Sequence, residues 1–218
     1  MLIGHFGVAM AAKKVAPGPS LGTLVLAAFL MDGVGSLFLL LGWETLEIVP
    51  GITAVTPLRF TSYPYTHSLL LVVLWGAAFA GMYYLRRRDP RGAMWLAALV
   101  LSHWFLDFVS HRPDMPLWPT GPLLGLGLWY SIPATLVVEF ALFGGGAWLY
   151  ASVTKPRDRT GTYALAAFLA VLVVIYIGAV FGPPPPSVRA LAVSGILSWL
   201  FVAWAYWIST HRTTIEAA

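Results

Sequence analysis

Apolar residues gather into six runs of about twenty, separated by short polar or Pro/Gly-rich connections. At a rise of about 1.5 Å per residue, each run makes a helix long enough to cross a hydrocarbon core about 30 Å thick. The runs extend from about Leu21 to Leu41, Thr66 to Leu85, Ala93 to His111, Trp129 to Val153, Tyr163 to Phe181 and Val188 to Ser209. They are continuous rather than alternating, which points to helices and not to a membrane barrel. Before them, the stretch from Met1 to Lys14 lacks the basic opening of a secretory signal and is too short to span, so it reads as a half-length helix retained in the protein. Pro17-Gly18-Pro19-Ser20 follows as a turn, with Ser20 in capping position for the first span. The long connections are Gly42 to Tyr65 and Arg112 to Leu128.

Composition agrees with the pattern. Of 218 residues, 59% are hydrophobic and 10% charged, and the mean hydropathy is +0.78, more apolar surface than one soluble core can hide. The expected fold is an all-α polytopic bundle of six spans plus the short N-terminal helix, forming one membrane domain over residues 1–218. The net charge of +4 does not indicate nucleic acid, because the basic residues sit in loops. With loops assigned alternately to the two sides, Lys13, Lys14, Arg86, Arg87, Arg88, Arg91, Lys155, Arg157, Arg159 and Arg212 share one side, against Arg59, Arg112 and Arg189 on the other. The positive-inside rule then places both termini in the cytoplasm of a bacterial inner membrane. With no cysteine, any bound metal must be held by nitrogen and oxygen.

Chemistry is concentrated in Ser102-His103-Trp104-Phe105-Leu106-Asp107-Phe108-Val109-Ser110-His111, where three ionisable side chains recur at four-residue spacing within an apolar run. They therefore share one helical face. An intramembrane Asp costs roughly 2.5 to 3.5 kcal/mol on insertion scales and usually faces a bundle interior. Asp32, mid-way along the first span, falls at the same depth as His103. His5 approaches that layer if Lys13 and Lys14 mark the membrane surface, and His67 does so if the backbone from Ser62 to Thr66 sinks inward to line a cavity. Asp32, His67, His103 and Asp107 then form a set of two imidazoles and two carboxylates suited to zinc, and less uniquely to manganese or iron. His5 and His111 stand at the edge as ligands of a second ion, as supporting partners or as a proton shuttle. The bland alternative is a His-Asp cluster that merely ties helices together.

Gly4-His5, Leu30-Met31-Asp32, Tyr65-Thr66-His67-Ser68-Leu69, Leu101-Ser102-His103 with Asp107, and Pro116-Leu117-Trp118-Pro119 occur in an order that resembles the YdjM-type family of predicted membrane-bound metal-dependent hydrolases. The resemblance covers roughly residues 1–120 and implies a distant likeness to zinc-dependent phospholipase C and P1-type nucleases. The family's Leu-Pro-Asp-x-Asp followed by His is here Leu30-Met31-Asp32-Gly33-Val34-Gly35, and its His-Arg-Gly before Thr-His-Ser is here Tyr63-Pro64-Tyr65. One ion rather than two is expected.

The resemblance implies hydrolysis by metal-activated water, with His111 or Asp107 taking the proton, His5 joining the metal set, Arg112 near a substrate phosphate, and an amphiphilic phosphoester as substrate. The rival is a non-catalytic subunit of a larger membrane complex, in which residues 121–218 serve docking and the polar cluster is structural. Among the other residues, Glu139 is expected either at the same cavity or against a helix neighbour. Gly144-Gly145-Gly146 is expected to permit close helix packing, and Trp118, Trp129 and Tyr130 to anchor the interface.

Overall fold

The structure is a computed structural model that describes residues 1–215. Its helices are α1 (Ile3–Ala12), α2 (Leu21–Leu41), α3 (Pro64–His67), α4 (Leu69–Arg87), α5 (Pro90–Ser110), α6 (Ile132–Val153), α7 (Arg159–Phe181), α8 (Val188–Leu197) and α9 (Trp199–Thr210). Short antiparallel pairs join the connections: β1 (Thr45–Ile48) with β2 (Leu58–Ser62), β3 (Met115–Pro116) with β4 (Leu123–Leu124), and β5 (Thr154–Pro156) with β6 (Arg212–Thr214). Among the described residues, six helical segments are long and apolar enough to cross a membrane: α2, α4, α5, α6, α7, and α8 with α9 taken together. The all-α bundle with a short leading helix is therefore as expected.

Several boundaries differ from the hydropathy reading, and the differences have chemical causes. The fifth span starts at Arg159 rather than near Tyr163 because the Asp158 carboxylate accepts from Gly161 N at 2.9 Å and caps it. The third starts at Pro90, capped in the same way by Asp89, which accepts from Gly92 N at 2.9 Å. The fourth starts at Ile132, and Leu128–Tyr130 before it form a separate 3-10 turn. Ser20 caps α2 as expected, its hydroxyl accepting from Thr23 N at 3.2 Å.

The half-length helix α1 is not peripheral. It is enclosed by the bundle, with Ile3, His5, Phe6, Gly7, Ala9 and Met10 buried, and it packs chiefly along α6. Lipid tails are as apolar as leucine, so contacts within a membrane rely on small residues that let backbones approach. A Cβ added to Gly7 would lie 2.4 Å from the Leu142 carbonyl oxygen, and one on Gly146 would lie 2.0 Å from the Gly7 carbonyl oxygen. Gly144 and Gly145 face open space, so of the three consecutive glycines Gly146 makes the close contact.

The α1 N-terminus is held by α6 as well. Glu139 accepts from Leu2 N at 2.8 Å and Gly4 N at 2.7 Å, which satisfies two otherwise orphaned helix-start donors. Glu139 thus stands against a helix neighbour, the second of its two expected places. The Met1 amino group is consequently buried inside the bundle, while Lys13 reaches the end where Arg86, Arg87, Arg157 and Arg212 gather around one cavity. The two long connections meet at the opposite end, where Ala54 N and Val55 N donate to the Trp129 carbonyl at 3.0 and 3.1 Å.

Candidate metal centre

Four elements deliver the polar residues. Asp32 comes from α2, His103 and Asp107 from α5, and His5 from α1. His67 arrives on α3, a single turn with Pro64 at its start, and Ser68 then adopts an extended conformation before α4 begins. The second span therefore starts at Leu69 rather than Thr66, and that break turns His67 inward.

The Nε2 atoms of His67 and His103 lie 3.7 and 3.6 Å from Asp32 Oδ1, and 3.7 and 3.1 Å from Asp107 Oδ2. All four ligand atoms lie within 4.8 Å of one another. Ligands about 2.1 Å from a tetrahedral zinc stand about 3.4 Å apart, so the His-to-Asp separations match a shared ion. His103, Asp107 and His67 are buried, whereas the Asp32 side chain is 39% exposed and marks the accessible edge.

The far nitrogen of each imidazole is already committed. His103 Nδ1 donates to the Ala28 carbonyl at 2.8 Å. The Thr66 hydroxyl donates to Glu44 Oε2 at 2.7 Å, which leaves its oxygen to accept from His67 Nδ1 at 2.6 Å. His111 Nδ1 donates to Asp114 Oδ1 at 3.0 Å. These bonds fix the tautomer, so all three rings present a bare Nε2 inward. Among the described residues His103 Nε2 is a fully buried nitrogen with no hydrogen-bond partner, as a metal ligand would be.

His5 and His111 flank this set. His5 stacks flat on His103, with centroids 4.0 Å apart and planes 5° apart, and its Nε2 lies 3.2 Å from Asp107 Oδ1. It therefore supports the outer oxygen of Asp107 instead of joining the four ligand atoms. The buried Met1 amino group pairs with that same oxygen and donates to Ser110 Oγ at 3.1 Å. His111 Nε2 stands 4.0 Å from Asp107 Oδ2. Burial holds the His111 imidazole below its usual pKa. Burial, helped by Asp114, holds the Tyr63 phenol well above its own. Tyr63 therefore stays a donor, to the Asp114 carbonyl at 2.9 Å and to Asp114 Oδ1 at 3.1 Å.

The half-buried Trp129 covers His111, with ring centroids 4.2 Å apart. Trp118 and Tyr130 are exposed. Arg112 lies beside Asp114, Nε to Oδ2 at 3.2 Å.

Glu44, Thr66 and Asp114 stand behind these imidazoles and are not among the expected site residues. For Asp114 a signal exists, because it follows His111 by three residues. For Glu44 the sequence offers none, as it is one acid in a long connection.

The family model described as YdjM inner membrane protein matches residues 1–182. The chain belongs to this family. The match runs past the motif-bearing stretch of residues 1–120 and takes in α6 and α7, which include Glu139 and Gly146, the residues that seat α1. Members are described as inner membrane proteins, in agreement with the six spans. No curated protein and no solved structure matches the chain.

Proposed function

We propose that this YdjM-family protein is a membrane-embedded metal-dependent hydrolase whose divalent ion is held by Asp32, His67, His103 and Asp107. The observation that carries the reading is the buried, partnerless Nε2 of His103, turned with His67 Nε2 toward the same two carboxylates. The nitrogen and oxygen donors suit zinc best, and manganese or iron less uniquely. A divalent ion bound there would lower the pKa of water toward about 7 and polarise a phosphoryl or acyl oxygen.

The chain's own residues supply the rest. Asp32, as the exposed member, leaves the accessible side open. His111 is the better placed base: its Nε2 faces the cluster and its Nδ1–H is fixed by Asp114. Asp107, the other candidate base, already receives Met1 and His5 at its outer oxygen. Arg112, next to His111 in the chain and paired with Asp114, would meet the phosphate of an amphiphilic phosphoester. The excess of basic residues in one set of loops supports a bacterial inner-membrane topology with those loops cytoplasmic and the site in the outer half.

Elemental analysis of protein purified without chelator tests the reading. About one zinc or manganese per chain is expected, lost in His103→Ala. Metal-free wild-type protein that co-purifies stoichiometrically with a larger assembly would instead establish the rival, a non-catalytic subunit.

A further inference from the structure

A second site lies at the opposite end of the bundle, where the basic loops converge. A cavity of about 840 Å³ opens between the start of α2, the end of α4 and the β5–β6 pair, and five cations line it: Lys13, Arg86, Arg87, Arg157 and Arg212. Two of these are buried. Lys13 is 7% exposed, and its ammonium donates to the Pro17 and Pro19 carbonyls at 2.6 and 2.7 Å. The buried Arg212 donates to the Thr154 carbonyl at 3.1 Å and the Gly161 carbonyl at 3.1 Å, with its guanidinium 5.5 Å from the centre of the Tyr150 ring.

Carbonyls and rings orient these groups without neutralising them. Among the described residues, none of the five cations has a carboxylate oxygen within 4.0 Å. Asp89, which touches the rim at Gly18, is occupied by the Tyr83 hydroxyl at 3.0 Å and Gly92 N. Concentrated and partly buried positive charge, with no carboxylate paired to it among the described residues, calls for an anion. Phe79 and the exposed Met82 form an apolar part of its wall.

We propose that this cavity binds the phosphate of an anionic membrane lipid, with the headgroup among the five cations and an acyl chain against Phe79 and Met82. The shared chemistry is a phosphate anion, and the apolar wall selects the lipid-borne form over free phosphate. Anionic lipids and basic loops concentrate at the same membrane face, so the ligand is at hand.

The test uses the full chain in mild detergent and native mass spectrometry, with dioleoylphosphatidylglycerol, dioleoylphosphatidylcholine and inorganic phosphate as probes. One phosphatidylglycerol per chain is expected, retained in preference to phosphatidylcholine. The double variant Arg86→Gln/Arg87→Gln, at exposed positions, should weaken that binding roughly 30-fold, the effect of removing two basic groups near a membrane surface. Arg88→Gln/Arg91→Gln removes equal charge just outside the cavity and should leave binding unchanged. Equal retention of both lipids, equal loss in the two double variants, or displacement of the lipid by an equal concentration of inorganic phosphate overturns the proposal. Metal content has no bearing on any of these readings.

Discussion

The Thr66 hydroxyl oxygen lies 2.6 Å from Nδ1 of its neighbour His67. Because Thr66 also donates to Glu44, and Glu44 Oε1 receives the Tyr65 and Thr66 backbone N–H groups at 2.9 and 2.8 Å, one buried carboxylate holds both the turn that carries His67 and the tautomer of its ring.

Thr66→Val and Glu44→Gln should each weaken metal binding by roughly 10- to 100-fold, the usual effect of losing a partner behind a ligand. Thr66→Ser keeps the hydroxyl and should restore it. Competition with a chromogenic chelator measures this. If Thr66→Val binds zinc as the wild type does, the hydroxyl relay has no part in holding His67.

The two carboxylates should behave differently. Asp107 is buried and receives the Met1 amino group and His5 at its outer oxygen, so Asp107→Asn leaves a buried cation unpaired and should cost about 3 to 5 kcal/mol of stability. Asp32 is partly exposed, and Asp32→Asn should weaken the metal without unfolding the bundle. Thermal unfolding in the presence of chelator separates the two effects, because the Asp107 loss persists when no ion is bound.

How far the site was legible follows from what periodicity can carry. Four-residue spacing puts His103, Asp107 and His111 on one face whatever surrounds them, and counting residues from the membrane boundary brings Asp32 and His5 to the same depth. Both arguments use only helical rise and pitch, and the structure brings these residues together. His67 needed a break at Ser68 that hydropathy does not mark, since Leu69 onward is as apolar as any span. Glu44, far along a connection, had no periodicity to place it. The Gly7–Gly146 approach joins two helices distant in sequence, so which of three consecutive glycines makes it is set by tertiary packing and not by any local pattern.

His111 and Asp114 stand apart from the ligand set and lead to a separate prediction. His111→Ala should retain the metal but lower turnover of a chromogenic phosphodiester by roughly 100- to 10,000-fold, the span for loss of a general base. Asp114→Asn should fall between that variant and the wild type, because Nδ1 keeps a partner while the orienting charge is gone. Metal content and turnover measured on one preparation decide it. Loss of the metal in His111→Ala would make this residue a ligand instead of a base.

The glycine run in α6 permits a comparison within three consecutive positions. An alanine in a helix is favoured over glycine by about 0.5 to 1 kcal/mol where space allows. Gly144→Ala and Gly145→Ala meet nothing within 4 Å, so both should be neutral or slightly stabilising. Gly146→Ala would drive its methyl group into the Gly7 carbonyl, which is backbone and cannot rotate aside, so α1 must shift away from α6 at a cost of about 1 to 3 kcal/mol. The damage reaches the metal centre, since α1 carries His5 and the Glu139 contacts that seat it. Gly146→Ala should therefore lower both the thermal midpoint and zinc affinity, while its two neighbours lower neither. A uniform response across the three variants would mean that α1 is not held by this contact.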